Sequence, residues 1–396
     1  MVPRGPLRRI AAGTLASSVG NGAWYATWAL FLTRSVGLSP AQVGVGMTCA
    51  GAAGLCCATP VGRLADRLGA RDVYAALLAV QAAMSITYLA VDAMPTFVAV
   101  ACVAEAARSG AGARNALVLG LCPRHDERLA ALGALRSISH FGWAAGAVAG
   151  AVVIGVDTRA GYVALLALNA ASYLAYAALV LTVPRVAAAP ERRGSGVVGD
   201  RPYMTLAGLI GVLALCWAML SSGLPLWVAL HTDAPRSISA VIVVLNSLAI
   251  ALLQLRVSRG MVSPRTAARG AVLSGSALAL SCVLFALSAG GSGIAVVALL
   301  LVAAAVHTAG ELLFVAASWG LSIPLMPAAR PGEYQGVFAT GEATALMAAP
   351  ALMTTLVADW GGPGWLVLAA IFLLPAVAVV PVTRWALRTR TVAPAT

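Results

Sequence analysis

The stretch Gly62-Arg63-Leu64-Ala65-Asp66-Arg67-Leu68-Gly69-Ala70-Arg71 holds four charged residues in ten, in a chain that is only 10% charged. An apolar run from Ala41 to Val61 leads into it, and a second apolar run starts at Val73. A polar knot of this density between two greasy runs reads as the turn between two membrane crossings.

Working outward, the same alternation fills the chain. Of 396 residues 60% are hydrophobic, and the mean hydropathy is +0.90. Soluble domains are about half apolar and about a quarter charged. A crossing helix needs about 20 mainly apolar residues. Twelve candidate spans meet that length: 11–33, 41–61, 72–92, 95–121, 131–156, 161–183, 203–230, 238–255, 267–289, 293–322, 336–357 and 364–382. The expected fold class is therefore all-α integral membrane with twelve transmembrane helices. Spans four and ten are long for one crossing, so their ends project into water or tilt. The basic-then-apolar start, Met1 to Gly13, lacks a small-residue cleavage site and reads as the entry to span one, not a cleaved leader.

Charge sets the orientation. All 26 basic residues are arginine, which reads as the codon bias of a GC-rich bacterium. The formal net charge of +12 raises the question of nucleic acid. The arginines instead cluster in short loops beside apolar runs, so the bilayer is the partner and no nucleic acid is expected. With the N-terminus inside, 21 arginines fall on the inner side and three (Arg34, Arg159, Arg236) on the outer; Arg108 and Arg114 lie within span four. That bias predicts a multi-pass protein of the bacterial plasma membrane with both termini cytoplasmic, and it puts the knot on the cytoplasmic face. The seven cysteines sit in or beside apolar runs without metal-ligand spacing and read as small packing residues.

The longest polar stretch, 184–202, follows span six. It divides the chain into a first six-helix bundle (1–183), a cytoplasmic loop (184–202) and a second bundle with a short tail (203–396). Two echoes six spans apart support a duplication. Arg63 to Arg71 after span two is matched by Arg256-Val-Ser-Arg259 and Arg265 after span eight. Pro123-Arg-His-Asp-Glu-Arg128 after span four is matched by Pro327-Ala-Ala-Arg-Pro-Gly-Glu333 after span ten.

The knot resembles motif A of the major facilitator superfamily, whose pattern is G-x-L-a-D-r-x-G-r-[KR]. Gly62, Leu64, Asp66, Arg67, Gly69 and Arg71 match it, and Ala70 replaces the first of the final basic pair. With twelve spans and a degenerate second copy, the resemblance covers the whole chain. It implies two pseudo-symmetric bundles that rock to give alternating access to a small-molecule substrate. Asp66 is then expected near the N-terminus of span eleven, where helix ends carry partial positive charge. There it would act as a conformational latch with Gly62, Arg67, Gly69 and Arg71. Arg67 and Arg71 fit equally well as topological anchors.

Ionisable residues at membrane depth need partners or a cavity. Glu105 and Arg108 are three apart on span four and can pair. Arg108-Ser-Gly-Ala-Gly112 resembles motif B of the same superfamily, which is associated with proton coupling, so Glu105 is read either as a proton or cation carrier tuned by Arg108 or as half of a static ion pair. Span ten carries His307 and Glu311 four apart. They are read as a proton-sharing pair or as satisfied polar packing, and their segment resembles one in drug-exporter-like members. Asn21, Trp24, Tyr25 and Trp28 share one face of span one, as a ligand face or an aromatic packing face. His140 and Asn246 are further cavity candidates. Gly142-x-x-x-Gly146 and Gly150 allow close helix approach. They resemble motif C of drug/proton antiporters, with Ala147 where proline belongs and Ala151 in place of a further glycine.

No Walker A loop, zincin motif or nucleophile elbow occurs, so neither an ATP-driven pump nor an enzyme is expected. The site calls for no metal and no cofactor, with the proton gradient as the energy source, and a monomer suffices. The expected function is proton-coupled efflux of a drug or secondary metabolite. The alternatives are uptake or facilitated transport of a metabolite, or a transporter-like sensor without turnover.

Overall fold

A computed structural model of the chain describes residues 5–122, 124–185 and 196–391. Of the features expected above, Arg4, Pro123 and residues 186–195 of the central loop lie outside the described residues. Among the described residues there is no strand, and ten helices are long and apolar enough to cross a membrane. The two other expected crossings fall on Pro6–Leu30, extended by Phe31–Ser35, and on the broken pair Met94–Arg108 and Ala111–Leu121.

Local chemistry sets where the helices begin and end. Ser39 and Ser263 each precede a proline, and each accepts the backbone N–H three residues on, Gln42 at 3.2 Å and Thr266 at 3.1 Å. The side chains of Gln42 and Thr266 return a bond to the serine N–H, completing two capping boxes. They start Pro40–Leu68 and Pro264–Leu287. Gly69, at φ 98°, stops the first of these in a conformation that side chains resist. Span five begins earlier than its apolar run, at His125, because Asp126 and Glu127 sit favourably in the first turn.

Three spans expected as single α-helices contain wider π-helical segments: Phe31–Ser35, Met219–Gly223 and Met353–Asp359. A π turn loosens the carbonyl ladder. In each, a hydroxyl in or beside the segment takes a carbonyl four residues back: Thr33 to Ala29 (2.8 Å), Ser221 to Trp217 (2.9 Å) and Thr354 to Pro350 (2.9 Å). Pro225 and Pro350, which have no N–H to give, lie next to the second and third.

The chain forms two compact units. Met1–Arg193 with Pro327–Ala339 makes the first, and Gly194–Met326 with Thr340–Thr396 the second. In the first, spans one and five meet through small residues. A Cβ on Gly146 would lie 2.1 Å from the Val19 carbonyl oxygen, and one on Gly22 2.3 Å from that of Trp143. Backbones this close gain dispersion that larger residues would forbid. In the second, spans nine and twelve meet at Gly275 and Ala376. At one end of these helices the Trp365 ring meets those of Trp227 (5.7 Å) and Phe285 (5.1 Å). Large apolar side chains such as Val148, Val152 and Val156 of span five stand well exposed, as a helix does when hydrocarbon is its solvent.

Candidate functional site

The charged knot lies at the end of Pro40–Leu68 and the start of Ala70–Thr87. Asp66 accepts two backbone N–H bonds, from Gly332 at 2.7 Å and Glu333 at 2.7 Å. These belong to the first turn of Pro331–Leu352. Pro331 needs no N–H partner, and the two N–H groups that follow it point at the carboxylate. A carboxylate at a helix N-terminus gains about 0.3–1 kcal/mol from the dipole, and up to about 2 kcal/mol when partly buried. Arg63 donates to the buried Glu333 carboxylate at 2.9 Å, and Arg330 stands 3.8 Å from it. Glycine makes the approach possible. A Cβ on Gly62 would sit 2.1 Å from the Gly332 carbonyl oxygen, and one on Gly332 would sit 2.3 Å from the Gly62 carbonyl. Asn115 donates to Gln335 at 3.2 Å beside this contact. Arg71 turns the other way, to Asp72 at 2.7 Å and to the carbonyls of Leu181 and Val183 at the end of span six. Arg67 is exposed. In the sequence Gly332 and Glu333 stand out only as the end of the Pro327–Glu333 echo, not as partners of Asp66, and Gln335 carries no signal.

A second arrangement lies inside the first unit. A cavity of about 220 Å³ is lined by Asn21 and Tyr25 of span one, Arg108 and Arg114 of span four, and Trp143 and Tyr173, among others. Span four breaks here, at Ser109-Gly110, between Met94–Arg108 and Ala111–Leu121. Ser109 fills part of the gap by donating to the Ala106 carbonyl at 2.7 Å. Glu105 is the hub. It accepts from the Arg108 Nε at 2.8 Å and from the Tyr25 hydroxyl at 3.1 Å. The Arg108 guanidinium also lies 5.7 Å over the Tyr25 ring, a cation–π distance. Tyr173 donates to Asn21. Tyr176 bonds Thr14 at 2.9 Å, and its ring meets Tyr74 edge-on at 5.5 Å. The wall therefore combines hydroxyls, two guanidinium groups and aromatic faces. The tyrosines of spans three and six and the serines of spans one and five went unnoticed in the sequence; their only signal was polarity inside apolar runs.

The four-residue face of span one divides. Asn21 and Tyr25 reach the cavity. Trp24 packs against Phe31 (5.8 Å) and Tyr88 (5.1 Å), and Trp28 joins the same apolar cluster. His140 is half-buried and does not line the cavity, although its neighbour Ser139 does.

The second unit holds its own buried polar group. Asn246 donates to Glu311 at 2.9 Å and to Thr308 at 3.1 Å. His307 is fully buried, and neither ring nitrogen has a hydrogen-bond partner among the described residues. The structure thus brings Glu311 to Asn246 and leaves the imidazole outside that hydrogen-bonded group.

A polytopic helical protein with a polar cavity inside its first bundle is the architecture of a membrane carrier. The family model described as Major Facilitator Superfamily matches residues 10–350, and the chain belongs to that superfamily of transporters. A search of curated proteins finds no match. Solved structures with the same fold include a bacterial homologue of the iron transporter ferroportin in an outward-facing state (TM-score 0.73, 14% identity, 97% of this chain and 100% of that one). The proton:xylose symporter XylE is also similar (0.68, 13%, 95% and 94%). So is the human organic anion transporter MFSD10 (0.65, 15%, 95% and 100%). At these identities the likeness is one of fold.

Proposed function

We propose that this transporter exports a small, partly hydrophobic organic molecule from the bacterial cytoplasm in exchange for protons. The observation that carries the reading is the Tyr25–Glu105–Arg108 group beside the broken span four. A carboxylate held by an arginine and a hydroxyl at membrane depth can take and release a proton as those partners move. The aromatic and hydroxyl-lined cavity around it supplies stacking and hydrogen bonds for an organic substrate. Glu311, with Asn246 and Thr308, is the corresponding group of the second bundle. In this reading residues 1–183 and 203–396 move against each other, both termini are cytoplasmic, and a monomer suffices. The Asp66 cap on the start of span eleven holds one end-state of the cycle.

The test is accumulation of a fluorescent lipophilic cation in expressing cells, with and without a protonophore, and with Asp66→Asn as control. Lower accumulation that the protonophore abolishes supports proton-driven efflux. Accumulation equal to the control overturns efflux of such cations. Ala147, which replaces the antiporter proline of motif C, favours uptake or facilitated movement of a metabolite as the second reading. A pH gradient imposed on proteoliposomes separates them, since export and uptake respond to opposite gradients.

A further inference from the structure

The end of the second unit that carries Arg265 and Arg384 holds a charge arrangement that the transport cycle does not use. A groove of about 450 Å³ runs between the start of Pro264–Leu287 and the end of Gly362–Thr391. Arg265 and Arg269 line one wall, and Arg384 and Arg388 the other. Each pair is four residues apart, so two like charges stack on each helix face and the two faces meet. Arg265 lies in the first turn of its helix, where a cation opposes the dipole and no acidic residue compensates. Arg265, Arg269 and Arg384 make no ion pair or hydrogen bond among the described residues. Thr383, 2% exposed, lines the groove with a buried hydroxyl that has no partner.

The first unit solves the same problem differently. At the start of span three and the end of span six, Asp72 sits between Arg71 (2.7 Å) and Arg185 (3.2 Å). The second unit has four arginines at the equivalent place and no carboxylate among the groove's lining residues.

We infer that this groove binds the phosphate headgroup of an anionic phospholipid. Guanidinium groups are suited to phosphate oxygens, and basic pockets between membrane helices hold anionic headgroups. The stripe on each helix decides between a lipid and a soluble phosphate. Continuing from Arg269, the same face of span nine presents Leu273 (59% exposed) and Leu280 (51%). Continuing from Arg384, span twelve presents Val377 (53%) and Leu374 (70%). Cationic heads that run into exposed apolar tracks fit a ligand with a phosphate and acyl chains. The inference needs the protein to be embedded in a membrane and is independent of what it carries.

The experiment is native mass spectrometry of the full chain in detergent, titrated separately with phosphatidylglycerol, phosphatidylcholine of the same chains, and inorganic phosphate. Wild type should retain phosphatidylglycerol well above phosphatidylcholine. The double variant Arg269→Gln/Arg384→Gln should lose phosphatidylglycerol affinity by about tenfold or more, with phosphatidylcholine retention unchanged. The charge-preserving Arg269→Lys/Arg384→Lys pair should keep most of the binding, which separates loss of charge from loss of fold. Equal phosphatidylglycerol retention in wild type and the glutamine variant overturns the site. Displacement of the lipid by millimolar inorganic phosphate overturns the assignment to a lipid.

Discussion

At the scale of single residues, Asp66 makes the sharpest commitment. Both carboxylate oxygens accept backbone N–H groups at 2.7 Å. Asp66→Asn keeps one acceptor and turns an amide NH2 toward a backbone donor. Leaving a buried donor unmet costs about 1–3 kcal/mol, so transport in proteoliposomes should slow by about tenfold while circular dichroism stays unchanged. A wild-type rate would remove the latch from the cycle. Glu105→Gln keeps the shape of the hub but removes the charge that Arg108 meets. Substrate movement should then lose most of its dependence on an imposed pH gradient, and a retained dependence would place the coupling carboxylate elsewhere, with Glu311 next. The expectation that Asp66 meets the start of span eleven came from the resemblance to motif A, and an acid among bases, which topology does not require, agreed with it. Which residues donate to it could not be read, because the donors are main-chain N–H groups 266 and 267 residues away. The aromatic face of span one shows the other limit. At about 100° per residue, Asn21 and Tyr25 lie at one edge of the face and Trp24 and Trp28 at the other. Periodicity groups the four, and only the neighbouring helices part them.

At the scale of elements, the glycine seam between spans one and five predicts a graded response. A Cβ at Gly146 would meet backbone at 2.1 Å, whereas Gly155 in the same helix has nothing within 4 Å. Gly146→Ala should therefore cost about 1–3 kcal/mol and lower the Tm by several degrees, and Gly155→Ala should leave it unchanged. Equal shifts would refute the close contact. The turn between spans five and six carries a pH-dependent tie. Asp157, with φ 47°, accepts from the Tyr162 hydroxyl at 2.7 Å and pairs with Arg34. The Tyr162 bond first, and the Arg34 guanidinium after it, hold its carboxyl below the usual carboxylate range. A depressed value means that the tie contributes above the ordinary carboxylate pKa of about 4 and fades as pH falls through the folded value. Hydrogen exchange at this turn should accelerate only in acid, and Asp157→Asn should remove that dependence. Helix starts at Ser39-Pro40 and Ser263-Pro264 are legible in sequence as serine–proline entries. The break in span four was not read from it: Arg108-Ser109-Gly110 interrupts the apolar pattern, but the run 95–121 is long enough to read as one crossing.

At the scale of the whole molecule, the arginine bias and the family match over residues 10–350 rest on features spread along most of the chain, which is why the fold class was legible as a whole and the candidate sites only in part. The bias makes a prediction of its own. In a cysteine-free background, Arg236→Cys should react with a membrane-impermeant thiol reagent on intact cells, and Arg265→Cys only after permeabilisation. The opposite pattern would invert the protein. The three π-helical segments carry a further consequence. Each accommodates one residue more than an α-helix of the same rise, and where helix continues beyond it, as Leu224–His231 does after Met219–Gly223, the side chains there are rotated by about 100°. Taking one residue out of Met219–Gly223 would remove the π turn and swing Leu224–His231 to a new azimuth. A polypeptide shortened there should still insert and fold, yet present a different set of side chains along the rest of that crossing. Length at Met219–Gly223 is therefore a dial for which side chains the end of that crossing presents to its neighbours, separate from which residues are encoded.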